Sequence, residues 1–180
     1  MIDHLMPDIP RLYSAIAEWL ACMIFILPFK KRFSKIKTGV IMAVMLVVQS
    51  GFMVVTEDVR LFFWIPCMIV AVFLMLFFIY VSCAIEITDA VYFVLIAFVV
   101  AEFMASIEWQ VACYFRIAQS GVWWKEWSAL ILGYGMISVI LFKILHVHFP
   151  EDGQMEIGWK ECFSAFLIAI SVFAVSNISY

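Results

Sequence analysis

Apolar residues fall along this chain in six long runs, at approximately 12–29, 38–55, 61–84, 90–115, 128–148 and 162–180, broken by short charged or aromatic stretches. Each run approaches or exceeds the roughly 20 mostly apolar residues that carry a helix across a bilayer. Lipid offers the backbone no hydrogen-bond partners, so a spanning element is a helix or part of a closed barrel. These runs lack the polar–apolar alternation of barrel strands. The pattern predicts an all-α, polytopic integral membrane bundle of about six transmembrane helices, forming one domain over 1–180. Only IEITD, Ile85 to Asp89, separates the third run from the fourth, which allows a tight helical hairpin.

Composition agrees with this class. Apolar residues make up 67% of the chain and charged residues 14%, against about half and about a quarter in a soluble domain. The hydrophilic stretches, about ten to fifteen residues at most, are too short to enclose a soluble core. Charge then orients the bundle. Lys30, Lys31, Arg32, Lys35 and Lys37 crowd the loop after the first run, and the positive-inside rule places that loop in the cytoplasm. The N-terminus is then outside, in a multi-pass protein of the cell membrane. Lys143 and Lys160 join the inner side, while Arg11, Arg60, Arg116 and Lys125 fall outside. Six crossings also end outside, and the apolar, tail-less ending SVFAVSNISY has the look of the N-terminal part of a longer chain. The start, MIDHLMPDIPRLY, opens on acids and prolines, unlike the basic start of a signal peptide.

Carboxylates inside the runs are the candidate chemistry. Glu102 falls near the middle of the fourth run, where a charge costs about 2.5–3.5 kcal/mol on insertion scales, so it is expected to face other helices or a wet cavity. Glu108 lies about 9 Å further along the helix. It sits beside Trp109 and Gln110, a setting that suits an anchor at the outer interface. The six-residue spacing points the two acids about 120° apart, which argues against a shared catalytic pair. Glu18 precedes Trp19 as Glu108 precedes Trp109, ninety positions apart, but little else aligns at that offset and an aromatic belt explains both pairs. The candidate functional or packing set is therefore Glu18, Trp19, Glu102, Ser106, Glu108, Trp109 and Gln110.

The remaining signals are weaker. His146 and His148 lack a nearby third ligand, and Cys22, Cys67, Cys83, Cys113 and Cys162 form no CxxC, so neither a metal nor a disulfide framework is expected. Phosphate-cradling loops and nucleophile motifs are missing from the sequence, which leaves no catalytic constellation and no cofactor. The cluster GVWWKEW, with Trp123, Trp124 and Trp127, is expected to lie flat at the outer interface, a surface for a lipophilic or peptide ligand. The loop KKRFSKIK sets topology and suits anionic headgroups, at about 1 kcal/mol per basic residue.

The strings IPRLYSAIAEWLACMIFILPFKKRF, FFWIPCMIVAVFLMLFFIY and AEFMASIEWQ resemble the N-terminal membrane region of sensor histidine kinases with a GHKL-type ATP-binding domain, from Gram-positive gut bacteria. These are similar in plan to quorum kinases that sense peptides. The resemblance implies a membrane input domain that receives a peptide or small-molecule signal and works as a homodimer. It also marks Glu18, Glu102, Glu108, Trp109 and Gln110 as recurring family positions. The kinase itself is missing here, since the chain has neither a phosphoacceptor-histidine helix nor an ATP-binding domain. Its expected partners are the bilayer and that signal, with no nucleic acid. Two other classes fit six spans in this length. One is the substrate-binding membrane subunit of a vitamin-type transporter, with Glu18, Glu102 and tryptophans lining its pocket. The other is a non-catalytic membrane scaffold.

Overall fold

A computed structural model describes residues 11–57, 61–118, 123–148 and 157–178. They form six helices: α1 (Arg11–Ile26), α2 (Lys35–Val55), α3 (Leu61–Ser82), α4 (Ile87–Ala118), α5 (Trp123–His148) and α6 (Trp159–Ile178). The apolar runs predict all six. The tight third connection is also present, and α4 extends three residues past its expected run at each end. One boundary differs: Trp123 to Trp127, expected before α5, form its first turns, continuous with the apolar run that follows. Among the described residues four helices, α2 to α5, carry segments long and apolar enough to cross a membrane.

Helix α1 is short, 16 residues or about 24 Å, and it occupies the centre. It packs on α2, α3, α4 and α5, while α4 packs on α1, α3, α5 and α6. The central α1–α4 pair is built on alanine. Ala15, Ala17 and Ala21 of α1 are buried, as are Ala90, Ala97, Ala101 and Ala112 of α4. Small side chains let two backbones approach closely, which in lipid replaces the missing hydrophobic drive between helices. Around this seam Phe25, Phe29, Met75, Phe78 and Phe93 fill the main core. Its aromatic contacts are Phe25–Phe93 at 5.8 Å and Phe29–Phe93 at 4.8 Å.

Both ends are tied. At one end the α1–α2 loop meets the α3–α4 loop through a backbone bridge between Lys31 and Cys83. Arg32 N–H donates to the Ser82 carbonyl at 3.1 Å and Ala84 N–H to the Lys30 carbonyl at 2.9 Å. The Arg32 guanidinium also covers the Tyr80 ring at 4.6 Å. At the other end Arg11 donates to the Thr56 carbonyl at 2.8 Å and lies 5.9 Å over Trp64, which in turn stacks on Phe173 of α6 at 5.5 Å. With Tyr13 against Trp127 at 5.2 Å, these contacts place the starts of α1, α3 and α5 at one end with the finish of α2 and α6. The path is up-and-down throughout.

The bridge divides the five basic residues of the first loop by role. Lys31 caps the end of α1, its ammonium donating to the carbonyls of Ile26, Leu27 and Phe29. Partial burial lowers its pKa from the ordinary lysine value. Lys30, Lys35 and Lys37 are exposed. Lys31→Met is expected to lower stability by about 1 kcal/mol, as loss of a C-terminal cap does, while Lys30→Met stays within a few tenths. Unfolding in mixed detergent micelles reads the difference, and equal effects would remove the capping role.

Candidate functional site

Each of the two central helices carries one buried acid, Glu18 on α1 and Glu108 on α4, and each acid is bonded to a flanking helix. Inward positions of α4 follow the helical period through Ala90, Ala97, Ala101, Met104, Glu108 and Ala112, so Glu108 stands on the packed face. Its side chain is 2% exposed. The Tyr134 hydroxyl of α5 donates to its Oε2, and Tyr134 packs with Ala17 and Met104. Glu18 of α1 stands on the opposing stripe, 4% exposed. It accepts a hydrogen bond from Nε2 of Gln49, the polar member of the inward stripe Thr38, Met45, Gln49 and Met53 on α2. Gln49 is fully buried, and its Oε1 has no hydrogen-bond partner among the described residues. Next along α1, the Trp19 indole N–H donates to the Met42 carbonyl of α2 at 3.0 Å. The Glu-Trp pair of α1 therefore fastens α1 to α2 twice.

Glu108, expected as an anchor at the outer interface, is buried inside the bundle between α4 and α5. Glu102 is half-buried, on the side of α4 turned toward α6. There it lines an outward-opening groove of about 420 Å³ together with Ser106 of α4 and Ser171 of α6. The reason is rotational. A 120° separation puts one acid inside and the other off the packed face, and the alanine stripe selects Glu108 for the interior.

The other candidates separate. Trp109 is half-buried and Gln110 exposed, whereas Trp124 and Trp127 are 57% and 46% exposed at the start of α5. The side chains of Trp123, His146 and His148 lie outside the described residues. Among the described residues no cluster of His, Cys, Asp and Glu is arranged to hold a metal ion. The five cysteines are free thiols. Gln49 and Tyr134 are the members that sequence reasoning missed. Gln49 had a signal, as the polar break in MAVMLVVQSGFMVV; Tyr134 had none beyond its place in an apolar run.

This arrangement defines an all-α polytopic membrane bundle whose interior is pinned by acid-to-neutral hydrogen bonds between helices. Comparison with known protein families, curated proteins and solved structures finds no match.

Proposed function

We propose that this bundle is the membrane-embedded input domain of a signal-transducing protein of the two-component kind, with no catalysis in these residues. One observation carries the reading. Glu18–Gln49 and Glu108–Tyr134 each fasten one helix to another by a side-chain bond inside an otherwise apolar interior. A signalling bundle needs discrete arrangements that a distant event can bias, and buried hydrogen bonds between helices make or break as units. The two acids engage neutral partners on separate helix pairs, which suits a latch better than acid–base chemistry. The strings resembling the input region of GHKL-type kinases agree with this role, and the exposed Lys30, Lys35 and Lys37 support a cytoplasmic position for the tied loop end with the N-terminus outside. The signal is a peptide or small molecule, and the working unit is a homodimer. The vitamin-type transport subunit is the second reading, favoured by the groove at Glu102.

An antibody against the Lys30–Lys37 loop, used on native membranes, tests this. Precipitates incubated with labelled ATP are expected to form acid-labile phosphohistidine. Precipitates that form none and release a stoichiometric small metabolite would replace the sensor with the transport subunit. A co-purifying set of cell-wall enzymes without either would leave a scaffold.

A further inference from the structure

The bridge between Lys31 and Cys83 sorts the cations of the first loop by direction. Side chains alternate sides along an extended segment. Lys31 turns back to the carbonyls at the end of α1, and its neighbours Lys30 and Arg32 are exposed. Arg32 is nonetheless fixed in place. Its Nε–H donates to the Cys83 carbonyl at 3.3 Å, its guanidinium lies over the half-buried Tyr80 ring, and its backbone N–H is held by the Ser82 carbonyl. A guanidinium carries five donors. The four on its terminal nitrogens make no hydrogen bond among the described residues, and they form the planar fork that meets two oxygens of one phosphate.

The surroundings choose the kind of anion. Lys30, Lys35 and Lys37 are exposed close by in sequence, the facing loop contributes one exposed acid, Glu86, and among the described residues no ion pair joins that acid to these cations or to Arg32. Phe33 and Ile36 stand between the cations and are 41% and 82% exposed, so the same stretch offers apolar surface beside its charge. Tyr80 lies two residues before the end of α3, which sets the guanidinium where the helices end, at the level of the headgroups. A soluble anion would engage the charges and leave Phe33 and Ile36 in water. A phospholipid engages both.

We propose that the clasped loop binds an anionic phospholipid, with the phosphate on the Arg32 fork and the Lys30 ammonium and the chains against Phe33 and Ile36. Lys35 and Lys37 add attraction without a fixed contact. That the lipid comes from the cytoplasmic leaflet rests on the topology proposed above; the site itself does not.

Photolabelling tests the proposal on the full chain in mixed-lipid nanodiscs, with a diazirine-bearing phosphatidylglycerol as probe and the matching phosphatidylcholine as control. The anionic lipid is expected to label 30–37 and 80–84 saturably and the control only weakly. Arg32→Lys keeps the charge and loses the fork, and should weaken saturable labelling about tenfold. Tyr80→Leu removes the ring beneath the guanidinium and no charge, and should weaken it about threefold. Lys30→Met, which barely changes stability, should weaken it about fivefold and decides the matter if the other two variants fail to fold. Equal labelling by the two lipids, or full labelling in all three variants, would reduce the loop to diffuse attraction and overturn the site. Displacement of the probe by inorganic phosphate at constant ionic strength would overturn it too, by assigning the fork to a soluble anion. Phosphohistidine formation in native precipitates is read separately, so either proposal can fail alone.

Discussion

Gln49→Leu is expected to destabilise the bundle by about 2–3 kcal/mol, and to do so only while Glu18 remains. The substitution nearly conserves volume, so packing changes little. What changes is the surroundings of a carboxyl group that is 4% exposed and loses the Nε2 donor it accepts from. A hydrogen bond to an acid is worth about 1.5–3 kcal/mol, and stranding one partner costs more than removing both. Glu18→Leu alone strands Gln49 in turn, whose Oε1 already lacks a hydrogen-bond partner among the described residues. The double variant Glu18→Leu with Gln49→Leu should therefore be more stable than either single variant. Trp19 contacts the Met42 carbonyl beside this pair, so its fluorescence during unfolding in mixed detergent micelles provides the readout. Strictly additive losses around the cycle would show that the two side chains do not act together.

Tyr134→Phe is expected to cost about 1–2 kcal/mol, near the upper range for hydrogen bonds between membrane helices. Glu108→Gln should cost less than about 1 kcal/mol, because an amide oxygen still accepts from the hydroxyl. The location of the loss is more telling than its size. Helix α5 packs against α1 and α4, and the Tyr134–Glu108 bond is a polar tie between α5 and that pair. Amide exchange in Tyr134→Phe should accelerate along α5 while the core around Phe25 and Phe93 keeps its protection. Uniform acceleration across all six helices would mean that α5 is not a separable unit and that the bond is one packing contact among many.

The architecture was legible because the runs of apolar residues leave little choice in lipid, where the backbone must satisfy itself. Which way each helix faces was harder to read. Helix α4 is apolar nearly all round, so its hydrophobic pattern does not distinguish the face toward α1 from the face toward α6, and Glu102 drew attention by depth alone. The alanines at 90, 97, 101 and 112 held the missing direction. Projected on a helix they share a face with Glu108 and leave Glu102 outside it. Close packing by small residues, more than hydrophobicity, decides what lies inside a membrane bundle. The partners Gln49 and Tyr134 stand 31 and 26 residues from their acids, and pairing at that separation follows from how helices assemble, which no local pattern records. At GVWWKEW the helix boundary was the part not legible, because an aromatic cluster adjoining a helical run can simply start that helix.

The clasp formed by Lys31 and Cys83 makes the bundle a lever with a fixed fulcrum. Two hairpins joined through their loops by backbone hydrogen bonds at one end are held at the other through the side chains of Arg11, Tyr13 and Trp64, so the backbone clasp is the stiffer of the two ties. Glu108 lies 21 residues beyond Ile87, the first residue of α4, an arm of about 31 Å. A tilt of about 5° around the clasp therefore carries Glu108 some 3 Å, a full hydrogen-bond length, while residues in the first turn of α4 scarcely move. Whatever tilts these helices is thus magnified at Tyr134, and the loops that must hold still are the ones locked together.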